Sequence, residues 1–214
     1  MEILGGSVLP DVRVRGFVDY WNFVLAMKRW NASFKLDWKA FGPWLCTQAG
    51  GLGLDVAQHG RIRYEGLHVY SSYNPQNPAD APFRKWATNT LDRFPGVQVV
   101  MKERKPKHPP KCPKCHIPVA TCPACAASMM GTVEKGIDTA IVTDMIKLAW
   151  EDSYDVGVLV SADRDFIPAV ELLDAKGRKV VHAGFAPDGM ELARKCWASF
   201  DLRSSIAQAG RASP

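Results

Sequence analysis

The stretch VGVLVSADRDFIPAV, residues 156–170, decides the fold. Its first five residues include three valines and a leucine, and a run this short and this apolar is typical of a strand buried on both faces of a parallel sheet. The run ends at Ser161, and apolar residues then recur at helical spacing, with Pro168 near the helix start, where a missing N–H costs little. The pattern therefore predicts Asp163 and Asp165 at the point where a buried strand ends and a helix begins.

The carboxyl ends of strands are where open α/β sheets bind ligands. One of the two aspartates could simply cap the helix, but one cap explains only one of them. A second strand end has the same character: residues 13–22, RVRGFVDYWN, are predicted to form a strand that Asp19 terminates. Asn22 lies just beyond and could orient a carboxylate or cap the helical segment 23–30.

The rest of the chain alternates between the two kinds of element. Pro43 falls inside the first long helical segment, so that two short pieces are an alternative to one helix there. The alternation predicts an α/β fold, a three-layer α/β/α sandwich with a mostly parallel central sheet. The further predicted elements are helices over 36–50, 83–94, 138–150 and 190–197 and strands over 66–73, 97–101, 179–183 and 198–202.

Composition limits the protein class. The chain has 214 residues, 47% of them hydrophobic and 23% charged, which predicts a single domain over 1–214 that carries a small insert. No apolar run is long enough to span a membrane, and the N-terminal residues lack the features of a signal peptide, so a cytoplasmic protein is expected. The net charge of +5 is compatible with a polyanionic partner.

Positive charge is concentrated in one segment. Residues 102–114 contain six basic residues against the single acid Glu103, which favours contact with nucleic acid over the alternative of a solvated loop. Lys135 and Arg164, which neighbour the predicted carboxylates, are expected to contact nucleic acid together with these six basic residues. The predicted nucleic-acid contacts are therefore Lys102, Arg104, Lys105, Lys107, Lys111, Lys114, Lys135 and Arg164.

Residues 105–130 form the predicted insert. They are rich in proline, show no amphipathic period, and contain two Cys-x-x-Cys pairs, Cys112 with Cys115 and Cys122 with Cys125. Four thiolates complete a tetrahedral site and leave no open position, so the prediction is a structural Zn²⁺ that organises the insert. Disulfides and free thiols are the alternatives, and a reducing cytoplasm disfavours disulfides.

Two more acids lie on the predicted helix 138–150. Asp138 is expected to be its N-cap, whereas Asp144 follows six residues later and is expected, with equal weight, to be an accessory acid or a surface residue. If Asp19, Asp138, Asp163 and Asp165 converge, their mutual repulsion is relieved by a hard divalent cation that takes oxygen ligands. Such a Mg²⁺ or Mn²⁺ ion, held by Asp19, Asp138 and Asp163, could activate water and neutralise charge on a phosphodiester.

Three patches in this order, VDYWN, EKGIDTAIVTDMIKLA and VGVLVSADRDFIPAVELLDAKGRKV, resemble the NYN branch of the PIN-like nucleases, and within it the LabA-like proteins. The resemblance implies an α/β/α sandwich and cleavage of single-stranded RNA with Mg²⁺ or Mn²⁺. It also implies the roles of the matching positions; Tyr20, where glycine is common, and the four-cysteine insert depart from the family pattern. The residues so implied as catalytic are Asp19, Asn22, Asp138, Asp144, Asp163 and Asp165.

The predicted function is that of a metal-dependent endoribonuclease. The alternative is a module of the same fold that binds RNA or a partner without cleaving. A small-molecule phosphatase is disfavoured, because its nucleophilic Asp would need a partner two residues on, where Asp19 has Trp21. The expected partners are RNA, single-stranded rather than duplex, and a second copy of the chain in a homodimer, with no membrane contact.

Overall fold

Six parallel strands form the central sheet of the protein. The computed structural model describes residues 10–52 and 60–211. The sheet strands are β1 (Val12–Asp19), β2 (Ile62–Tyr73), β3 (Val97–Glu103), β6 (Val156–Val160), β7 (Lys179–Gly184) and β8 (Ala198–Asp201); β4 (Lys105–Lys107) and β5 (Gly131–Val133) form a separate ribbon. The strand order is β3-β2-β1-β6-β7-β8, and every neighbouring pair is parallel, which confirms the predicted fold class.

Helices cover both faces of this sheet. Alternation along the strands divides the core, since Val158 and Val160 contact the apolar residues of the first two helices while Leu159 contacts those of the fourth and fifth. The result is the predicted three-layer sandwich. The helices are α1 (Tyr20–Trp30), α2 (Trp38–Gly50), α3 (Ala81–Asn89), α4 (Ile137–Trp150), α5 (Ile167–Ala175) and α6 (Met190–Ala193).

The strand order reverses at β1. The chain first builds β2 and β3 to one side of β1 and later returns to place β6 on its other side. Val18 pairs with Val160, so the residues that follow, Asp19 and Ser161, leave the sheet side by side. A crevice at the carboxyl ends of strands where the order reverses is the usual ligand site of such sheets.

Some element boundaries differ from the prediction for local reasons. Helix α1 begins at Tyr20, directly after Asp19, so Asn22 lies in the first helical turn and not at a strand end. Helix α2 runs through Pro43 without a break, because its apolar side packs in the core around Phe41 and Leu45. Helix α6 ends at Ala193, so the second half of the predicted helix over 190–197 is absent.

Asp138 is not an N-cap. Helix α4 starts at Ile137 after Gly136, whose φ of 82° is the left-handed conformation that glycine adopts without strain. Asp138 therefore lies in the first turn, where a carboxylate interacts favourably with the positive end of the helix dipole.

The cysteine-rich segment leaves and rejoins the sandwich through the antiparallel ribbon of β4 and β5. Lys105 pairs with Val133 and Lys107 with Gly131, so the two ends of the insert are adjacent. Elsewhere, none of the helices in residues 10–52 and 60–211 is both long enough and apolar enough to cross a membrane.

Candidate active site

Asp19 occupies the carboxyl end of the central strand β1. Its side chain is 7% exposed and caps helix α1 by accepting a hydrogen bond from the backbone N–H of Asn22 at 3.2 Å. Ser161, at the end of β6, places its hydroxyl 3.5 Å from the other carboxylate oxygen. The first turn of α1 and the residue that follows β6 thus contact this carboxylate from two sides.

The turn after β6 is fixed to helix α1. The side-chain oxygen of Asn22 accepts a hydrogen bond from the backbone N–H of Ala162 at 2.9 Å. Asp163 donates its backbone N–H to the Ser161 hydroxyl at 3.2 Å and accepts the N–H of Asp165 at 2.9 Å, which caps a 3₁₀ turn over Arg164–Phe166. Asn22 therefore positions the turn, and capping accounts for one oxygen of Asp163.

The charges of this region repel one another. Burial raises the pKa of Asp19 to about 6; the hydrogen bond from Asn22 opposes this, and the charges of Glu134, Asp138 and Asp163 add to it. Burial also raises the pKa of Asp138, and the charges of Asp163, Glu134 and Asp165 act in the same direction. We call this set the acidic edge: Asp19, Glu134, Asp138, Asp163 and Asp165.

Glu134 was not among the predicted site residues. It accepts a hydrogen bond from the hydroxyl of Ser72, and the Arg104 guanidinium lies 3.9 Å from it and donates to the same hydroxyl at 3.0 Å. The available signal was its place in the EKGID patch, four residues before Asp138. Ser72 could not be found from sequence, because only the pairing of β2 with β1 brings it near Asp19.

Asp144 lies apart from this group. It is six residues beyond Asp138, which is about 9 Å along a helix. Its carboxylate accepts the hydroxyl of Tyr70 at 2.9 Å, and its charge adds to burial in raising the pKa of that tyrosine. Asp144 is therefore a hydrogen-bonded, half-buried residue and not a free surface acid.

The donor chemistry of the acidic edge fits Mg²⁺ or Mn²⁺. Among the residues that the structure describes, Asp19, Asp138, Asp163 and Asp165 form no ion pair with a Lys, Arg or His side chain. Carboxylates that repel one another without a cationic neighbour are suited to a hard divalent cation. In the described ranges, however, no three His, Cys, Asp or Glu side chains are arranged to hold a metal ion, so the carboxylates would have to turn toward one.

The insert contains two turns of the same construction. In one turn, the backbone carbonyl of Cys112 accepts the N–H of His116 at 2.9 Å, and the backbone N–H of Cys112 donates to the carbonyl of Ile117. In the other, the backbone of Cys122 makes the same two bonds, with Ala126 at 2.9 Å and with Ala127. His116 and Ala126 share a left-handed φ of 58° and 59°. The cysteines are free thiols, and no three of those in the described residues are grouped so that they could hold a metal ion.

Backbone N–H groups point to the first sulfur of each turn. They lower the pKa of the Cys112 and Cys122 thiols, and the second thiol of each pair contributes in the same direction. Each turn is thus prepared to present thiolates, although the two pairs do not meet. Cys46 is buried, and burial raises its pKa to about 11, as expected of a cysteine that packs as a small apolar residue.

The structure brings only part of the predicted basic set together. Lys105, Lys107 and Lys135 line a groove of about 380 Å³ at the ribbon, with His108 on its wall. Arg104 turns instead toward Glu134, and Arg164 lies 3.7 Å from Glu191. The remaining predicted contacts are exposed and do not line this groove: Lys102, Lys111 and Lys114.

Comparisons with known proteins agree with this architecture. A crystal structure of a Vibrio parahaemolyticus protein of unknown function is similar, with a TM-score of 0.50 and 16% identity, over 93% of this chain and 96% of that one, which is a likeness of fold. No curated protein matches the chain significantly. The model of the NYN domain matches residues 17–201, which include the whole acidic edge. The chain therefore belongs to the NYN domain family, of the PIN-like nuclease superfamily.

Proposed function

We propose that this protein is a metal-dependent endoribonuclease that hydrolyses phosphodiester bonds of single-stranded RNA at the acidic edge. The observation that carries the proposal is the buried Asp19, whose pKa is raised to about 6 in part by the charges of three neighbouring carboxylates. Among the described residues, the only basic side chain paired with any of these carboxylates is Arg104, which contacts Glu134. Perturbed carboxylates in a cleft at a strand-order reversal are expected of a reaction centre. The order of the three sequence patches supports a LabA-like member.

The side chains have distinct tasks in this proposal. Asp19, Asp138 and Asp163 would hold Mg²⁺ or Mn²⁺, which supplies a polarised phosphoryl oxygen and a water of lowered pKa. Asn22 keeps helix α1 and the β6 turn at a fixed separation through its bond to Ala162. The exposed carboxylate of Asp165 is available to accept a proton from water at the edge.

The lysine groove supplies a path for the RNA backbone. Lys135 lines the groove and directly follows Glu134 of the acidic edge, so one end of the groove lies a single residue along the chain from that edge. Lys105 and Lys107 would neutralise phosphates along this path, a contact that weakens as salt rises. One copy of the chain supplies every group named, so the proposal does not depend on a homodimer.

A function without cleavage is the second candidate. It is favoured by one observation, that no three of the described carboxylates are arranged to hold an ion. The chain would then bind single-stranded RNA through the lysine groove, with strong salt dependence and no turnover under any divalent ion.

The test compares three proteins on a labelled single-stranded RNA with Mn²⁺. Asp163→Asn keeps a capping side chain but removes a charge, and should lower the cleavage rate about 100-fold or more. Asp174→Asn, an exposed aspartate on α5, is the matched control and should cleave as the wild type does. Equal cleavage by Asp163→Asn and wild type would remove the site, and RNA retention without cleavage by all three would favour the second candidate.

We also propose that the four cysteines hold one structural Zn²⁺. The two prepared turns, Cys112 with Cys115 and Cys122 with Cys125, would close on a single ion. Purified protein should contain one zinc per chain, and Cys112→Ser should lose it and unfold the insert while the circular dichroism of the sandwich persists. Stoichiometric zinc in a variant that lacks all four cysteines would contradict the assignment.

A further inference from the structure

Three partly exposed side chains lie together beside the acidic edge. The ring centroids of Trp21 and Phe83 are 5.1 Å apart with the ring planes tilted by 51°, and the Arg104 guanidinium carbon is 5.8 Å from the Trp21 ring centroid. Trp21 comes from the first turn of α1 and Phe83 from α3, and Arg104 is the residue that follows β3. We call these three residues the aromatic platform.

Hydrogen bonds hold the platform in place. The indole N–H of Trp21 donates to the backbone carbonyl of Ser72 at 2.8 Å, and Arg104 donates to the Ser72 hydroxyl at 3.0 Å. The side chains therefore lose little freedom when a ligand stacks on them, which favours binding. The tyrosine next to Trp21 behaves differently: the Tyr20 ring stacks on Trp38 at 5.7 Å, and burial raises its pKa to about 12.

The neighbours of each aromatic side chain indicate whether it packs in the fold or is free to bind a ligand. Tyr20 packs against Trp38 and Trp86 at the margin of the core, so it stabilises the fold. Trp21 and Phe83 are partly exposed members of the same aromatic cluster. The exposed part of an aromatic face is available to a planar ligand.

The platform is connected to the acidic edge by named contacts. Trp21 is two residues from Asp19, and the hydroxyl of Ser72, whose carbonyl holds the indole, donates to Glu134. A strand whose phosphate lies at the carboxylates therefore places a neighbouring base within reach of the platform.

We propose that the aromatic platform stacks the nucleobase next to the scissile phosphate of single-stranded RNA, an inference that rests on the proposed function. Every base has a π-face, so such a surface accepts any sequence, and the guanidinium adds a cation–π contribution. Duplex RNA does not fit, because its bases are stacked within the helix. The platform thus assigns the substrate class: an unpaired strand, held by one base in addition to its phosphates.

The first experiment measures binding, so that it does not depend on cleavage. A fluorescein-labelled single-stranded RNA decamer is titrated in Mn²⁺-free buffer with wild type, Trp21→Ala and Trp21→Phe. Trp21→Ala should weaken binding about 10- to 100-fold, because stacking is worth roughly that factor per base, whereas Trp21→Phe should stay within about three-fold. The control is Trp150→Ala, whose indole is 55% exposed at the far end of α4, and it should bind as the wild type does.

The second experiment asks whether the lost contact is made to a base. A series of decamers carries one abasic nucleotide each, at successive positions. At one of these positions, loss of the base should weaken binding to the wild type as strongly as Trp21→Ala weakens binding to the intact decamer. The same abasic decamer should bind Trp21→Ala no more weakly than the intact decamer does. Wild-type affinity of Trp21→Ala, or an equal loss for every abasic position in both proteins, overturns the platform. Platform binding without Mn²⁺-dependent cleavage would overturn only the nuclease, and cleavage with an inert Trp21 would overturn only the platform.

Discussion

The two ends of the central sheet treat their aspartates in opposite ways. At the amino end, Asp155 lies 2.8 Å from Arg13 and 3.2 Å from Arg178, and Asp152 lies 2.6 Å from Arg178. Burial acts to raise the pKa of Asp155, but the hydrogen bonds from Arg13 outweigh it and the pKa is lowered. At the carboxyl end, Asp19 has the raised pKa and no such partner among the described residues.

The same residue type therefore serves two purposes in one pair of strands. Arg13 is on β1 and Asp155 precedes β6, while Asp19 ends β1 and Asp163 follows β6. Carboxylates that are paired with arginine stabilise the fold when they ionise, whereas repelling ones destabilise it and keep an affinity for cations. The presence or absence of an arginine partner, and not the residue type, distinguishes the aspartates at the two ends of these strands.

The largest expected effect on stability is at the amino end. Asp155→Ala removes hydrogen bonds to the backbone and side chain of Arg13 and leaves two arginines without this partner. The free energy of unfolding should fall by roughly 2–3 kcal/mol, a range typical of hydrogen bonds to charged groups. Urea denaturation of Asp155→Ala, Asp163→Asn and the exposed Asp174→Ala measures it; a loss as large for Asp163→Asn would end the distinction.

At the carboxyl end, removal of an aspartate charge should raise the free energy of unfolding instead of lowering it. The pKa of Asp19 is about 6 in the folded protein against an ordinary value of 3.8, so the stabilisation from its protonated form is complete below pH 3.8 and is lost as the pH rises through 6. Asp19→Asn keeps the cap without the charge, so it should gain on wild type by on the order of 2 kcal/mol between pH 4 and pH 7.5. Urea denaturation at both pH values tests this, and a constant difference would contradict it.

Divalent metal should remove that disadvantage of the wild type. At ten times its dissociation constant, Mn²⁺ raises the free energy of unfolding by about 1.4 kcal/mol if it binds only the folded chain. Asp155→Asn should keep this increment, and Asp19→Asn and Asp163→Asn should lose it. Thermal denaturation with and without Mn²⁺ measures it, and an increment shared by all three variants would place the ion elsewhere.

The smallest effect is expected at Asp144. Its carboxylate accepts the hydroxyl of Tyr70 and lies almost two helical turns from Asp138. Asp144→Asn should therefore lower kcat/KM for RNA less than about ten-fold, against 100-fold or more for Asp163→Asn. Comparable losses in the two variants would make Asp144 part of the acidic edge.

Most of the sheet could be predicted from sequence because its strands are locally distinct. The run 156–160 is apolar on both faces, and its predicted bounds are those of β6. The start of α4 was harder, since an aspartate and a glycine compete there and the left-handed Gly136 takes the capping position. Pro43 misled because tertiary burial of Phe41 and Leu45 outweighs one missing hydrogen bond.

The residues of the candidate site that follow strand ends were predicted from sequence. Those that strand pairing brings beside them were missed. Asp19 ends β1 and Asp163 lies in the turn directly after β6, so sequence alone indicates them. Ser72 and Arg104 reach the edge only because β2 lies beside β1 and β3 lies beside β2. No spacing along the chain encodes that adjacency, and the aromatic platform depends on it in the same way.

The ribbon gives the insert a narrow neck. Its last pair, Lys105 with Val133, lies one residue from Arg104 on one strand and one residue from Glu134 on the other. A partner that displaces the insert would therefore act on Arg104 and Glu134 through one peptide bond each. Excision or exchange of the insert at this neck would leave β1 and β6 intact, so the domain could acquire a new recognition element while the carboxylates stay in place.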